Sequence, residues 1–189
     1  MTAVQDGAEI GRTICAPSEI AETVERLAAK IATDYRRQPL LLLGVLKGAL
    51  CFTADLARAL ARRADGPSEI MVDYILVERY GSLGSAGGPA RLSMDCSLPI
   101  AGANVLIVDD IVDNGRTIEF LQSLLGERRP ASLRGCSLFD RPARREVAVA
   151  VDYLGIALPN VFAIGYGLDY KELYRNLPYV AELREAKTV

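Results

Sequence analysis

The run from Asn104 to Leu125 constrains this chain more than any other. Four apolar residues, Val105-Leu106-Ile107-Val108, lead into an acidic turn, Asp109-Asp110-Ile111-Val112-Asp113-Asn114-Gly115-Arg116-Thr117, and then into the apolar stripe Ile118, Leu121, Leu124 and Leu125. A short unbroken apolar run reads as a strand covered on both faces, and the stripe at helical spacing reads as an amphipathic helix. A strand feeding a helix through a tight turn aims the first unpaired helix N–H groups, and the positive end of the dipole, at the end of the strand. That arrangement holds anions. Gly115 lets the backbone approach a ligand closely, and the Asn114 amide and Thr117 hydroxyl add donors, so a phosphate monoester fits there. Asp109, Asp110 and Asp113 would repel a bare phosphate, because two unit charges at about 4 Å interact by about 4 kcal/mol at an effective dielectric near 20. Ribose hydroxyls and Mg²⁺ are the natural partners for such carboxylates, since Mg²⁺ takes oxygen ligands and is usually shared between one or two carboxylates and substrate phosphates. The turn therefore asks for a sugar phosphate bearing a second, metal-bound phosphate group. A pattern of this kind arises by chance at about 10⁻⁷ per position, so a mere solubilising loop is a poor account of it.

The flanking sequence supplies a matching scaffold. In residues 17–37, Ile20, Val24, Leu27 and Ile31 recur at helical offsets; Pro17 suits the first turn and Pro39 ends the helix. Leu40-Leu41-Leu42-Leu43-Gly44-Val45-Leu46 is a second doubly buried strand, and it runs into Lys47-Gly48. A helix is predicted over 49–63, a strand over 69–78, a Gly- and Ser-rich loop over 80–90, and further strands over 133–139, 147–153 and 161–166. Strand and helix alternate, so the expected fold is α/β: a mostly parallel twisted sheet flanked by helices, with its ligand at the C-terminal ends of the strands. With no repeat and no linker, residues 1–189 are expected to form a single domain.

Composition narrows the chemistry. The chain has no His, which removes His general bases, Ser-His-Asp and Cys-His pairs and all His-containing metal sites. Acid–base work then falls to carboxylates, Lys or Tyr. Cys15, Cys51, Cys96 and Cys136 form no C-x-x-C pair and are expected to be core thiols. A net charge of −2 gives no global basic field, so nucleic acid is not an expected partner. Asp6 and Glu9 sit where a signal peptide would be apolar, and the run over 40–46 is far short of the roughly 20 residues of a membrane span, so no membrane contact and a cytoplasmic location are expected.

Residues 105–117 resemble the phosphoribosyl-diphosphate (PRPP) motif of type I phosphoribosyltransferases. More narrowly, Gly44-Val45-Leu46-Lys47-Gly48 and Gly165-Tyr166-Gly167-Leu168-Asp169-Tyr170, continuing to Tyr174-Arg175-Asn176-Leu177-Pro178-Tyr179, resemble the hypoxanthine-guanine phosphoribosyltransferases. The resemblance implies a type I fold with a small hood built from N- and C-terminal segments, a flexible loop over about 79–95, and transfer of the phosphoribosyl group of PRPP to N9 of a 6-oxopurine. It implies that Asp109 and Asp110 hold the ribose hydroxyls and Mg²⁺, that Asn114, Gly115, Arg116 and Thr117 cradle the 5′-phosphate, and that Asp113 is the general base. It also implies a pyrophosphate loop at Lys47 and Gly48, with a cis peptide after Leu46. Arg175 and, more weakly, Arg144 would meet pyrophosphate, Asp169 would serve a second Mg²⁺, Phe162 would stack on the base, and Arg79 and Tyr80 would belong to the closing loop. Relatives of this kind are dimers or tetramers, so a homodimer or homotetramer is expected.

Four positions depart from the family pattern, one of them Asn114 in the turn, where Ser or Thr is common. Arg141 stands where a Lys normally donates to the purine 6-oxo group; its guanidinium is a planar fork able to span two acceptors. Ala163 replaces a larger aliphatic residue beside the base, and Arg79 replaces the Ser before the loop Tyr. These departures leave open a paralogue acting on a deazapurine or on xanthine. Gly115-Arg116-Thr117 also fits an RNA-binding regulator of the same fold, against which the acidic balance weighs. A signalling receiver domain shares the Val-Leu-Ile-Val-Asp-Asp start but needs about 120 residues, and only 80 follow Asp109.

Overall fold

A computed structural model describes residues 8–79 and 90–185. The elements are β1 (Ala8–Cys15), α1 (Pro17–Asp34), β2 (Pro39–Leu46), α2 (Leu50–Ala61), β3 (Glu69–Arg79), β4 (Ala90–Met94), β5 (Asn104–Val112), α3 (Arg116–Gly126), β6 (Ser132–Asp140), β7 (Tyr153–Ala157), β8 (Ala163–Ile164) and β9 (Val180–Glu185). Six strands make the main sheet in the order β4-β3-β2-β5-β6-β7, all parallel except β4. A second, antiparallel sheet, β1-β9-β8, joins the two ends of the described chain, with Ala8 opposite Glu185.

The apolar runs form strands because both faces are covered. Leu40 and Leu42 of β2 pack with Leu106 and Val108 of β5 against α1 and α2. Leu41, Leu43 and Val45 pack with Val105 and Ile107 against α3. Alternate residues thus enter opposite cores, and every position in the run is apolar. In α1, Pro17 fills the first turn and the Glu19 carboxylate accepts the Ala16 N–H at 2.7 Å, while Ile20, Val24, Leu27 and Ile31 form the buried stripe. Among the described residues no helix is long and apolar enough to cross a membrane. Cys15 and Cys136 are core thiols; Cys51 and Cys96 are only partly buried, correcting the expectation for those two.

Several predicted boundaries move for identifiable reasons. Residues 147–152 are not a strand, and β7 begins at Tyr153. The Glu146 and Val147 N–H groups donate to the Asn114 carbonyl instead of to a neighbouring strand, and Val149 and Val151 pack onto the core beneath α3. Of the strand predicted over 161–166 only Ala163–Ile164 forms, because Gly165 and Tyr166 turn the chain with positive φ. Ala90–Met94, read as part of a flexible loop, pairs with β3, with Val77 opposite Leu92. β1 and β9, missed in the sequence, are half-exposed two-sided strands without a clean apolar alternation.

Candidate active site

From β2 the chain passes to β3 on one side, and β5 then returns to the other side of β2. The crevice between the C-terminal ends of β2 and β5 is therefore the point where strand order reverses, which is where open α/β sheets bind ligands. A cleft of about 280 Å³ opens there, lined by Leu46, Gly48, Val77, Asp109, Asp110, Asp113, Asn114 and Thr117 among others. The peptide bond between Leu46 and Lys47 is cis. Gly48 lies so close to Asp110 that a Cβ there would be 1.7 Å from Oδ2. Asp109 is buried and accepts the Asp110 N–H at 3.0 Å, while the Asp110 carboxylate accepts the Ile111 N–H at 2.8 Å. Burial pushes the Asp110 carboxyl above its ordinary range, opposed by hydrogen bonds and by the charge of Arg175.

The turn after β5 is built on Gly115. Its φ is +91°, and a Cβ at this position would lie 2.7 Å from the Val147 carbonyl oxygen, so both conformation and space call for glycine. The Asn114 carbonyl accepts the Glu146 and Val147 N–H groups, and its side-chain oxygen accepts the Arg116 N–H at 3.2 Å. The turn is thereby locked against residues 146–147, and a notch formed by Asn114, Gly115, Thr117 and Ile118 adjoins the main cleft. The Arg116 side chain points elsewhere, pairing with Glu146 at 2.8 Å, so only its backbone belongs to the turn.

Asp113 is flanked by two guanidinium groups, Arg141 Nε at 3.7 Å from Oδ1 and Arg144 Nη1 at 3.6 Å from Oδ2. Asp113 Oδ1 and Arg141 Nε are both buried without a hydrogen-bond partner. Arg141 is 6% exposed and its Nη1 donates to the Val161 carbonyl at 3.0 Å. Next to that carbonyl, Phe162 is 47% exposed with its ring edge-on to Tyr170 at 5.8 Å, and Ala163 is buried in β8. An exposed aromatic face, a fixed guanidinium and a carboxylate thus stand together beside the cleft.

On the opposite side Lys47 Nζ meets Glu172 Oε2 at 3.0 Å, and Arg175 Nη2 meets Asp169 Oδ1 at 2.9 Å. Arg175 Nη1 also donates to the Gly167 carbonyl at 2.8 Å. Gly167 approaches Gly48 so closely that a Cβ would lie 1.9 Å from the Gly48 carbonyl. The sequence assigns Gly167 no role beyond its place in the motif at 165–170 and does not mark Glu172. The Gly-x-Gly spacing around Tyr166 was the available signal for the first, and nothing in the sequence marked the second. Tyr80 lies outside the described residues, and Arg79 ends β3. A larger cavity of about 640 Å³, between α1, α2 and Tyr166, has mostly apolar walls and none of these groups, so size does not locate the chemistry.

Among the described residues no three His, Cys, Asp or Glu side chains gather to hold a metal by themselves. Asp109 and Asp110 offer hard oxygen donors of the kind that hold Mg²⁺ together with water and substrate oxygens.

The mostly parallel sheet with its acidic strand end and glycine turn, joined to a small antiparallel sheet, has the phosphoribosyltransferase fold. The family described as phosphoribosyl transferase domain matches residues 14–171, and the chain belongs to it. Within that family it is 36% identical over 177 residues to the hypoxanthine-guanine phosphoribosyltransferase of Streptococcus pneumoniae strain R6, covering 94% of this chain and 95% of that one. It is also 36% identical over 176 residues to the bifunctional protein TilS/HprT of Listeria monocytogenes, of whose length it spans 26%. Its structure superposes on a Bacillus anthracis hypoxanthine-guanine phosphoribosyltransferase with a TM-score of 0.84 at 33% identity, covering 94% of this chain and 99% of that chain. For Trypanosoma cruzi hypoxanthine phosphoribosyl transferase the TM-score is 0.85 at 38% identity, with 93% and 92% covered.

Proposed function

We propose that this chain transfers the phosphoribosyl group of PRPP to N9 of hypoxanthine or guanine. The N9–C1′ bond forms as the C1′–oxygen bond to pyrophosphate breaks, and the proton displaced from the purine, at N7, passes to the Asp113 carboxylate. The observation that carries this reading is the meeting of Gly48, Asp109, Asp110, Asp113, Asn114 and Thr117 in one cleft, with Arg141 and Phe162 at its border.

Asp109 and Asp110 accept from the ribose 2′ and 3′ hydroxyls, and the notch at residues 114–117 takes the 5′-phosphate on the N-terminal end of α3. Lys47, Gly48 and Arg175 face the diphosphate, and Arg144, the weaker candidate, would reach it from beside Asp113. Phe162 covers the flat face of the base, and Arg141, fixed by Val161, donates to its 6-oxo group. Ala163 leaves room beside it. Arg79 and Tyr80 belong to the segment that closes over the reacting carbon and excludes water from it. Asp109 and Asp110 would hold Mg²⁺, and Asp169 would serve a second; when bound, the metal would supply positive charge to offset the pyrophosphate leaving group.

Incubating the protein with PRPP, Mg²⁺ and each of hypoxanthine, guanine, xanthine and a deazapurine, and weighing the nucleotide formed, tests this directly. Inosine and guanosine monophosphate are expected. Absence of any nucleotide product, together with RNA binding in a gel shift, overturns the reading.

A further inference from the structure

Residues 169–175 form a tight turn whose tip reaches back to the loop after β2. Tyr170 and Leu173 exchange backbone hydrogen bonds, and Lys171 and Glu172 between them have φ of +50° and +65°. Few non-glycine residues adopt that conformation without something to hold them there. Asp169 holds it, since Oδ2 accepts the Glu172 N–H at 2.9 Å while Oδ1 pairs with Arg175. The result is a carboxylate placed across two cations. A single oxygen, Glu172 Oε2, lies 3.0 Å from Lys47 Nζ and 3.3 Å from Arg175 Nη2.

These are two of the cations that the proposed function assigns to the diphosphate of PRPP. The close backbone approach of Gly167 to Gly48 fixes the segment leading to the turn against the loop, so the contact is built into the fold.

We propose that the Glu172 carboxylate is a built-in counter-anion of the pyrophosphate subsite, holding Lys47 and Arg175 in the free enzyme and yielding them when a diphosphate arrives. An anion already on the subsite must be displaced by the incoming one, so Glu172 weakens pyrophosphate binding and speeds its departure. Glu172 and Lys47 are both exposed and Arg175 is partly so, which makes the exchange shallow enough to be reversible in each turnover. Glu172 is a positioning residue in this scheme and touches no reacting atom.

The inference rests on the proposed function, and its test separates the two. Pyrophosphate inhibition of nucleotide formation is measured in the wild type, Glu172→Gln, Glu172→Ala, Lys47→Met and Arg175→Met, at two salt concentrations. Glu172→Gln and Glu172→Ala should be inhibited at about three- to tenfold lower pyrophosphate, the range open to a pair of exposed ion contacts, with the KM for the base unmoved. The gap should narrow at high salt, which screens exposed charges. Inhibition equal to or weaker than wild type in both Glu172 variants overturns the inference. If Lys47→Met and Arg175→Met also leave pyrophosphate inhibition unchanged, the assignment of the subsite itself fails.

Discussion

Replacing Gly48 with alanine tests the catalytic geometry at its tightest point. The added methyl would lie 1.7 Å from Asp110 Oδ2 and 2.4 Å from its Cγ, and ordinary contact begins at 3.4 Å, so about 1.7 Å of relative displacement must be found. The loop cannot yield it freely, because the Gly48 carbonyl already meets Gly167. Nor can Asp110 rotate without disturbing the Ile111 N–H it accepts at 2.8 Å. Since a misplacement of about 1 Å in a reacting constellation costs on the order of 10²-fold, kcat/KM for PRPP should fall by at least about a hundredfold. Overpacking of this kind costs roughly 1–3 kcal/mol, and the folded state should persist with a lowered Tm. Steady-state kinetics with PRPP varied at saturating base measures the first effect, and a thermal melt the second. The decisive measurement is the cycle with Asp110→Ala: in that background the new methyl meets no carboxylate, so Gly48→Ala should cost less than about threefold. A Gly48→Ala enzyme with near-wild-type kcat/KM, or an undiminished penalty in the Asp110→Ala background, refutes the claim that Gly48 is kept to place Asp110.

Other perturbations follow from the same geometry. Asp113→Ala should lower kcat on the order of 10²–10⁴-fold, the usual worth of a general base, while PRPP binding by titration changes little; equal losses in both would argue against its role. Arg141→Lys gives up the planar fork that bonds Val161 and faces Asp113, and should change relative kcat/KM across a purine panel in favour of hypoxanthine and guanine, while an unchanged profile would remove Arg141 from base selection. Desolvation at the cleft floor raises the Asp110 carboxyl above the ordinary carboxylate range, so the folded chain holds that proton more tightly than the unfolded one and stability falls as pH rises through the raised pKa. Asp110→Asn should therefore raise Tm at neutral pH, with little gain at acidic pH, while weakening PRPP binding; a lower Tm at neutral pH would contradict it.

The parts legible in the sequence are those in which one segment decides its own structure. The strands at β2 and β5 could be read because burial on both faces leaves an uninterrupted apolar run, and the turn at 109–117 because acid, glycine and threonine have fixed tasks in a strand-to-helix junction. The flanking strands were harder. Val147, Val149 and Val151 imitate a strand's alternation, yet the backbone at Val147 is claimed by Asn114, a partner more than thirty residues away that no local pattern reveals. β1 and β9 exist only because they meet, and neither carries a face apolar enough to be recognised alone. For the candidate site residues, the partners each side chain takes in the fold could not be read. Arg116 belongs to the motif yet spends its side chain on Glu146, and Glu172 became visible only once a left-handed turn carried it to Lys47.

The pairing of β1 with β9 has a consequence for how the enzyme is made. The cleft between β2 and β5 is assembled from the first two-thirds of the chain, whereas Phe162 and Arg175 hang from a cap whose middle strand, β9, leaves the ribosome after all of them. A nascent chain that has emerged only as far as β6 lacks residues 146–147, which lock the turn at Asn114, as well as the segments that carry Phe162 and Arg175. Completion of the base side of the cleft therefore waits on a contact between residues 8–15 and 180–185, segments more than 160 residues apart.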